Sequence, residues 1–452
     1  MKQRSNFSSK IGFVLAAAGS AVGLGNLWRF PYLAAQYGGG TFLLVYLILA
    51  VTFGFTLMVA EIAIGRKTGL SAIGAFKKLD RRFGFLGLLA SIVPIIIFPY
   101  YSVIGGWVIK YFAAFVSGSA KAASADDYFT NFISSTSEPI FWFFLFIACT
   151  SVIVLFGVEK GIETVSKFMM PVLVVLTVGI AFYGLTIEGA MEGLIYYLKP
   201  SMEHFSIKTI LAAMGQLFYS MSLAMGIMIT YGSYMKKDNN LESSVRQIEF
   251  FDTGIAFFAG LMIIPAVFSF SGGTAENLGK GPSLMFITLP KVFNSMPLGS
   301  AIGTLFFILV FFAALTSAIS LMETIVSILR DKFQWNRTFT CILVTVIALL
   351  MGLPSSLGFG PLGFITFFGK LSILDMFDFI SNSILMPIVA IFTCIFVGFV
   401  IGPKTISDEV KISNGTFKGE KLFGVMIKWI APLFLIAILI SSILDVLGIF
   451  TI

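Results

Sequence analysis

Stretches long and apolar enough to cross a lipid bilayer recur from one end of this sequence to the other, and no other feature restricts its fold as much. A helix needs about 20 apolar residues to span the hydrocarbon core, and about eleven segments qualify by hydropathy. They lie near 11–35, 40–65, 84–116, 139–157, 163–184, 207–234, 243–270, 298–329, 338–353, 373–402 and 422–447. The third and eighth are long enough to tilt or to extend past the lipid. A backbone in hydrocarbon has no water to bond and must satisfy itself, which a helix does within one segment. The chain therefore reads as an all-α polytopic membrane protein. With 57% of residues hydrophobic and 12% charged, it has too few charges to clothe a soluble surface of this size.

The loops give an orientation, because cytoplasmic loops carry the excess of Lys and Arg. With the N-terminus inside, most of the 30 basic residues fall on inner loops and tails: Lys2, Arg4, Lys10, the run from Arg66 to Arg82, Lys160, Lys167, Lys236, Lys237, Arg246, Arg330, Lys332, Arg337 and the lysines from Lys404 to Lys428. Eleven crossings then put the C-terminus outside. The net charge of +7 is read as topology, and no nucleic-acid partner is expected. Basic residues ahead of an apolar run with alanines at 16 to 18 resemble a secretory signal, but the NLWRFP that follows is unlike a cleavage region. Cys149, Cys341 and Cys394 all fall inside spans and form no CxxC. The longest hydrophilic pieces, 117–138, 185–206 and 271–297, lie outside, and the last has the size of a folded loop or lid.

Five spans are followed by five more, and a second set entering from the opposite side forms an inverted repeat. The expected organisation is a cytoplasmic segment 1–10, a first repeat 11–184, an extracellular loop 185–206, a second repeat 207–402 containing the extracellular loop 271–297, and 403–452 as a cytoplasmic loop with the eleventh helix. In transporters of this kind the first helix of each half is broken at mid-membrane, which frees backbone N–H and C=O groups for substrate and ions. Two weak points stand where such breaks belong: AVGLGN at 21–26 and SMSLAMG at 220–226. Glycine eases departure from the helix and allows close approach. Gly19 and Gly23 also fit a GxxxG packing face, but Asn26 and Arg29 are polar groups at depth, which are costly and usually functional.

GSAVGLGNLWRFP at 19–31, with YGGG at 37–40, resembles the first-helix signature of the neurotransmitter:sodium symporters. GQLFYSMSLAMGIMITYGSY (215–234) resembles their sixth helix and FFAALTSAIS (311–320) their eighth, in the right order and over nearly the whole chain. The similarity is to the bacterial amino-acid transporters of the family, and the family commonly has twelve spans. The resemblance implies a transporter rather than an enzyme, in a bacterial cytoplasmic membrane, with two sodium sites. The first is implied to use the Ala21 carbonyl, Asn26, Ser220 and Asp252, and the second the carbonyls of Gly19, Val22 and Ala313 with the hydroxyls of Thr316 and Ser317. Oxygen-only shells suit a hard cation. Thr316 and Ser317 in isolation read as hydroxyls bonded back to their own helix.

Asp252 departs from the family pattern, where an asparagine is usual. Chloride-dependent relatives hold the anion with groups that match Tyr46, Gln216, Ser220 and Asp252. A fixed carboxylate supplies the charge that chloride otherwise brings, so chloride independence is expected. The same carboxylate could take up a proton once sodium leaves, because an apolar site disfavours an uncompensated charge, which makes proton antiport a further expectation.

The resemblance also implies a substrate carboxylate held by backbone around Leu24 and Gly25, Tyr101 and the first sodium, with a half-helix N-terminus favouring the anion. Amine-transporting relatives have aspartate where this chain has Gly23, so an amino acid is expected. Ala21, Ser220 and Ser222 are implied to receive its amino group, and Ile97, Tyr101, Tyr219, Met225, Ser320 and Leu321 its side chain. That lining suits a hydrophobic or aromatic L-amino acid. The outer gate is implied to be Arg29 with Asp378, Asp375 being the rival partner, and the inner gate Arg4 with Asp331, supported by Ser233 and Tyr234. Glu61 is expected to bond to the broken helices. Glu323 fits either a wetted inner path or an internal salt bridge, and His204 a solvated outer loop. GIETVSKFMMP at 161–171 repeats the family's glycine and proline of the fifth helix, and also fits a plain proline kink. A channel gives no reason for a closed pocket with paired gates, and a membrane enzyme needs a catalytic constellation that is not visible. A non-transporting amino-acid sensor, or a symporter of another zwitterion or carboxylate, retains the same pocket.

Overall fold

The computed structural model describes residues 6–271, 281–413 and 415–449, without the side chains of His204 and Ser271. Among these residues the chain is helical apart from turns and one isolated bridge between Phe367 and Leu371. Nine described helices are long and apolar enough to cross a membrane: Gly40–Thr68, Arg81–Val116, Ser137–Leu155, Val158–Gly184, Leu241–Phe270, Gly299–Phe333, Arg337–Leu357, Ile373–Val400 and Glu420–Val446. These are the second to fifth and seventh to eleventh spans expected from hydropathy.

The first and sixth spans are the two that are not continuous. Lys10–Ala21 and Gly25–Gln36 meet at a bend of 54°, and the sixth is divided into Ile207–Ser220 and Ile227–Gly232. The two spans also begin alike. Ser9 Oγ accepts the Gly12 N–H at 3.1 Å, and Ser206 Oγ accepts the Thr209 N–H at 3.1 Å, each satisfying one of the donors a helix start leaves open.

The broken spans sit at the centre. In the eighth span 78% of the apolar window is buried inside the protein, against 33% in the eleventh, so the eighth is a core element and the eleventh faces lipid. Large exposed side chains such as Phe141, Phe168, Leu350 and Leu433 lie on the peripheral fourth, fifth, ninth and eleventh spans. The third span carries Pro94 and Pro99 within its helix, next to the residues it presents to the centre. The described part of the loop expected at 271–297 is folded: Leu284–Thr288 continues as Leu289–Ser295, and its Phe286 carbonyl accepts the Tyr111 hydroxyl at 2.7 Å.

Candidate functional site

The sixth-span break is a strained segment held by its neighbours. Ser222 and Ala224 adopt φ of 54° and 60°, and Gly226 a φ of 73°. Left-handed backbone costs a non-glycine residue roughly 1–2 kcal/mol, so it persists only where the surroundings fix it. Glu61, 2% exposed, accepts the Ala224 N–H on Oε1 at 2.6 Å, as expected of a carboxylate serving the broken helices. Ser222 Oγ donates to the Ser20 carbonyl at 2.9 Å and accepts from Ser20 Oγ at 3.2 Å. The two breaks are thereby tied to each other.

Between them lies a cavity of about 40 Å3. Of the eleven expected substrate residues, Ala21, Leu24, Gly25, Ile97, Tyr101, Tyr219, Ser220, Ser222, Met225 and Leu321 line it. Ser320 does not: its hydroxyl donates to the Thr316 carbonyl at 3.0 Å and accepts from Tyr231 at 2.7 Å. Ser20, Gly23, Ile227 and Ser317 complete the lining. The glycines are there for space. A Cβ at Gly23 would stand 2.8 Å from Ser317 Oγ, and one at Gly25 would stand 2.7 Å from the Tyr219 ring. The buried Tyr101 hydroxyl lies near Ser317 and the Leu24 backbone without a well-formed hydrogen bond to either, so it remains available to a ligand.

A first group of oxygens surrounds Asp252, which is wholly buried. Asn26 Nδ2 donates to its Oδ1 at 2.8 Å and to its carbonyl at 3.1 Å, while Asn26 Oδ1 accepts the Gly23 N–H at 3.0 Å. Ser220 Oγ and Tyr46 Oη reach Asp252 Oδ2 at 3.2 and 3.3 Å. Gln216 Nε2 donates to the Gly25 carbonyl at 2.9 Å, and its Oε1 is buried without a partner. No Lys or Arg among the described residues pairs with Asp252, so its charge is met by neutral donors alone.

A second group joins the first and eighth spans. Ser317 Oγ lies 3.1, 3.4 and 3.5 Å from the carbonyls of Ser20, Val22 and Gly19. Thr316 Oγ1 donates to the Ala313 carbonyl at 3.1 Å and also to Phe312 at 2.9 Å. A Cβ at Gly19 would stand 3.2 Å from Thr316 Cβ, so the glycine lets the spans close on these oxygens. The second group offers oxygen alone, and the first offers the oxygens of Asp252, Ser220 and Tyr46 beside the amides of Asn26 and Gln216; oxygen ligands suit a hard monovalent cation.

Above the cavity, the Arg29 guanidinium lies over the Tyr219 ring, 5.1 Å from its centroid. Asp378 accepts from Tyr100 Oη at 3.0 Å and Asn382 Nδ2 at 2.6 Å, with no direct bond to Arg29. Asp375 is instead a helix cap, exchanging bonds with Ser372. Below, Arg4 lies outside the described residues. Asp331 accepts the Ser71 N–H at 2.7 Å, and Ser233 Oγ bonds to the Thr230 carbonyl. Tyr234 donates to Glu323 at 2.7 Å, and Glu323 forms a salt bridge with Arg337, the second of its two sequence readings. Glu163, inside the 161–171 motif, accepts from the Ser8 N–H at 2.7 Å and pairs with Lys167 at 2.7 Å, which fastens the start of the first span to the fifth. Sequence reasoning missed Ser20, Ile227 and Arg337: the first two stand out in no way from the residues around them, and the third stands beyond the span it serves.

The model of the sodium:neurotransmitter symporter family matches residues 4–131 and 124–449. The chain is 36% identical over 455 residues to an uncharacterised sodium-dependent transporter, YhdH, of Bacillus subtilis, covering 97% of each. It is 35% identical over 460 residues to another from Haemophilus influenzae, covering 98% of each. The crystal structure of MhsT in complex with L-phenylalanine superposes with a TM-score of 0.88 at 38% identity, over 97% of this chain and 100% of that one. With a broken-helix architecture, oxygen sites at the breaks and this likeness along its length, the chain belongs to the sodium:neurotransmitter symporter family, whose members are sodium-coupled membrane transporters.

Proposed function

We propose that the protein imports hydrophobic or aromatic L-amino acids across a bacterial cytoplasmic membrane, N-terminus inside and C-terminus outside, driven by two sodium ions, without chloride and with a proton moving the other way. The observation that carries this reading is the cavity at the two breaks, where an apolar lining stands beside an unpaired buried carboxylate. The description of MhsT with L-phenylalanine supports the same substrate class.

Sodium in the first group compensates Asp252 and links the first, sixth and seventh spans through Ala21, Asn26 and Ser220. The substrate carboxylate sits against that ion, the Tyr101 hydroxyl and the N-terminal end of Gly25–Gln36, where the helix dipole favours an anion. The second ion joins the first span to the eighth through the carbonyls of Gly19, Val22 and Ala313 and the hydroxyls of Thr316 and Ser317. Ions and substrate therefore stabilise one closed arrangement together, and differential affinity for that state is what couples their movements. Arg29 with Asp378 closes the outer side, and Arg4 with Asp331, Ser233 and Tyr234 the inner. Asp252 supplies the negative charge that removes the need for chloride.

The test is uptake of labelled phenylalanine, leucine and tyrosine into proteoliposomes under sodium chloride, sodium gluconate or choline chloride gradients. Equal accumulation in the two sodium salts and none in choline is expected. Accumulation in choline rules out sodium coupling, a requirement for chloride rules out the role given to Asp252, and sodium-dependent binding without accumulation marks a sensor.

A further inference from the structure

Glu249, on the seventh span, takes no part in the sites described above, and its surroundings are unusual for a carboxylate. It is 5% exposed, and its Oε1 is buried with no hydrogen-bond partner. The nearest guanidinium along the helix, Arg246, pairs with Glu242 at 3.1 Å instead. One turn on, Thr253 Oγ1 is likewise buried without a partner. Side chains four apart on a helix are neighbours on one face, so the two orphaned oxygens belong to adjacent turns of the same face. Arg246 is bonded elsewhere and no cation pairs with this carboxylate among the described residues, and a buried uncompensated charge is strongly disfavoured. One proton removes the charge and makes Glu249 a donor, for which the Thr253 hydroxyl on the next turn is a candidate acceptor.

A cavity opens on the same helix, lined by Arg246, Phe250 and Phe251 though not by Glu249 itself. Arg246, Glu249 and Asp252 recur at intervals of three, each step rising about 4.5 Å along the helix. The cavity, of about 460 Å3, is also lined by Asn240, Glu242, Ser243, Gln247 and Lys418, at the end of the span that the charge pattern puts in the cytoplasm. The charged groups whose fields reach Glu249 are Arg246 and Asp252, and it has no hydrogen bond to either. From the packed spans, the second brings Tyr46 to Asp252 and Phe55 to Arg246. The first brings Lys10 to Ser243, and the fifth brings Glu163 and Lys167, which pair with each other.

We propose that Glu249, beside Thr253, is the binding site of the proton carried against sodium. It loads from the cytoplasmic cavity after sodium has left inward and discharges when sodium returns from outside. This rests on the proton-antiport reading but moves the proton from Asp252, where the sequence suggested it and where Asn26, Ser220 and Tyr46 already meet the carboxylate, to Glu249.

The experiment measures protons exported per phenylalanine imported, using proteoliposomes with an entrapped pH dye and labelled phenylalanine. Wild type is expected to alkalinise the lumen as phenylalanine enters. Glu249→Gln is expected to lose the proton flux while phenylalanine still enters, and Glu249→Asp to keep it. An unchanged ratio in Glu249→Gln overturns the assignment while proton antiport stands, whereas no alkalinisation by wild type overturns both. Should Glu249→Gln yield no folded protein, infrared difference spectra of sodium-free against sodium-loaded wild type decide. A protonated-carboxyl band that sodium removes and Glu249→Asp shifts supports the site, and a band absent or unmoved overturns it.

Discussion

The two oxygen groups at the first break share the same strand of backbone and differ in charge. The first gathers Asn26, Ser220 and Tyr46 around the carboxylate of Asp252, while the second is made of carbonyls with the hydroxyls of Thr316 and Ser317. A cation entering the first group cancels a buried charge, and one entering the second exchanges water dipoles for protein dipoles. The first should therefore bind by charge and govern dependence on other ions, and the second should bind by geometry and respond to small losses of shape.

Substitutions separate the two behaviours. The largest effect is expected from Asp252→Asn, which removes the charge but keeps the volume. Taking away one member of a buried, hydrogen-bonded charge pair costs about 3 kcal/mol or more, so sodium-dependent phenylalanine binding should fall by about a hundredfold in chloride-free buffer and recover in part when chloride is added. A scintillation binding assay in gluconate and chloride reads both.

Ser317→Ala should weaken sodium-dependent binding by about tenfold, the effect of about 1.4 kcal/mol when a buried hydrogen-bonding group is lost, with no chloride response. If this variant becomes chloride-sensitive, the division between the groups is wrong. Gly226→Ala places a Cβ where φ is 73° and Ala72 Cβ lies 3.3 Å away. It should destabilise the protein by about 1 kcal/mol, read as a lower melting temperature, while chloride dependence stays as in wild type. The smallest change is expected from Tyr219→Phe, which keeps the ring beneath Arg29 and loses a phenol at the cavity. Affinity for tyrosine relative to leucine should shift by less than about tenfold in competition binding.

The elements of the fold were legible in hydropathy because lipid leaves the backbone few choices. Both breaks could be placed because glycine, serine and asparagine interrupt apolar runs at Gly23, Asn26, Ser222 and Gly226. The family pattern then indicated ten of the residues around the cavity, since backbone approach at Gly23 and Gly25 leaves little freedom in what faces them. Ser320 was misplaced for a local reason: its hydroxyl turns back to the Thr316 carbonyl and Tyr231. The Glu323 and Arg337 pair depends on a turn between two spans, and no periodicity reports such a contact. Asp375 and Asp378 were indistinguishable in sequence because both sit on one short helix, Ile373–Asp378, and only the first has Ser372 three residues before it to cap. Glu249 was passed over because one carboxylate near a span's inner end looks like any interfacial charge until its burial is known.

The most direct test of the central claim is equilibrium binding of radiolabelled sodium to the purified protein with saturating phenylalanine in chloride-free buffer. The account predicts two ions per chain in wild type, unchanged by added chloride, and in Asp252→Asn one ion per chain until chloride is supplied. Two chloride-independent ions in Asp252→Asn, or a chloride requirement in wild type, would contradict it.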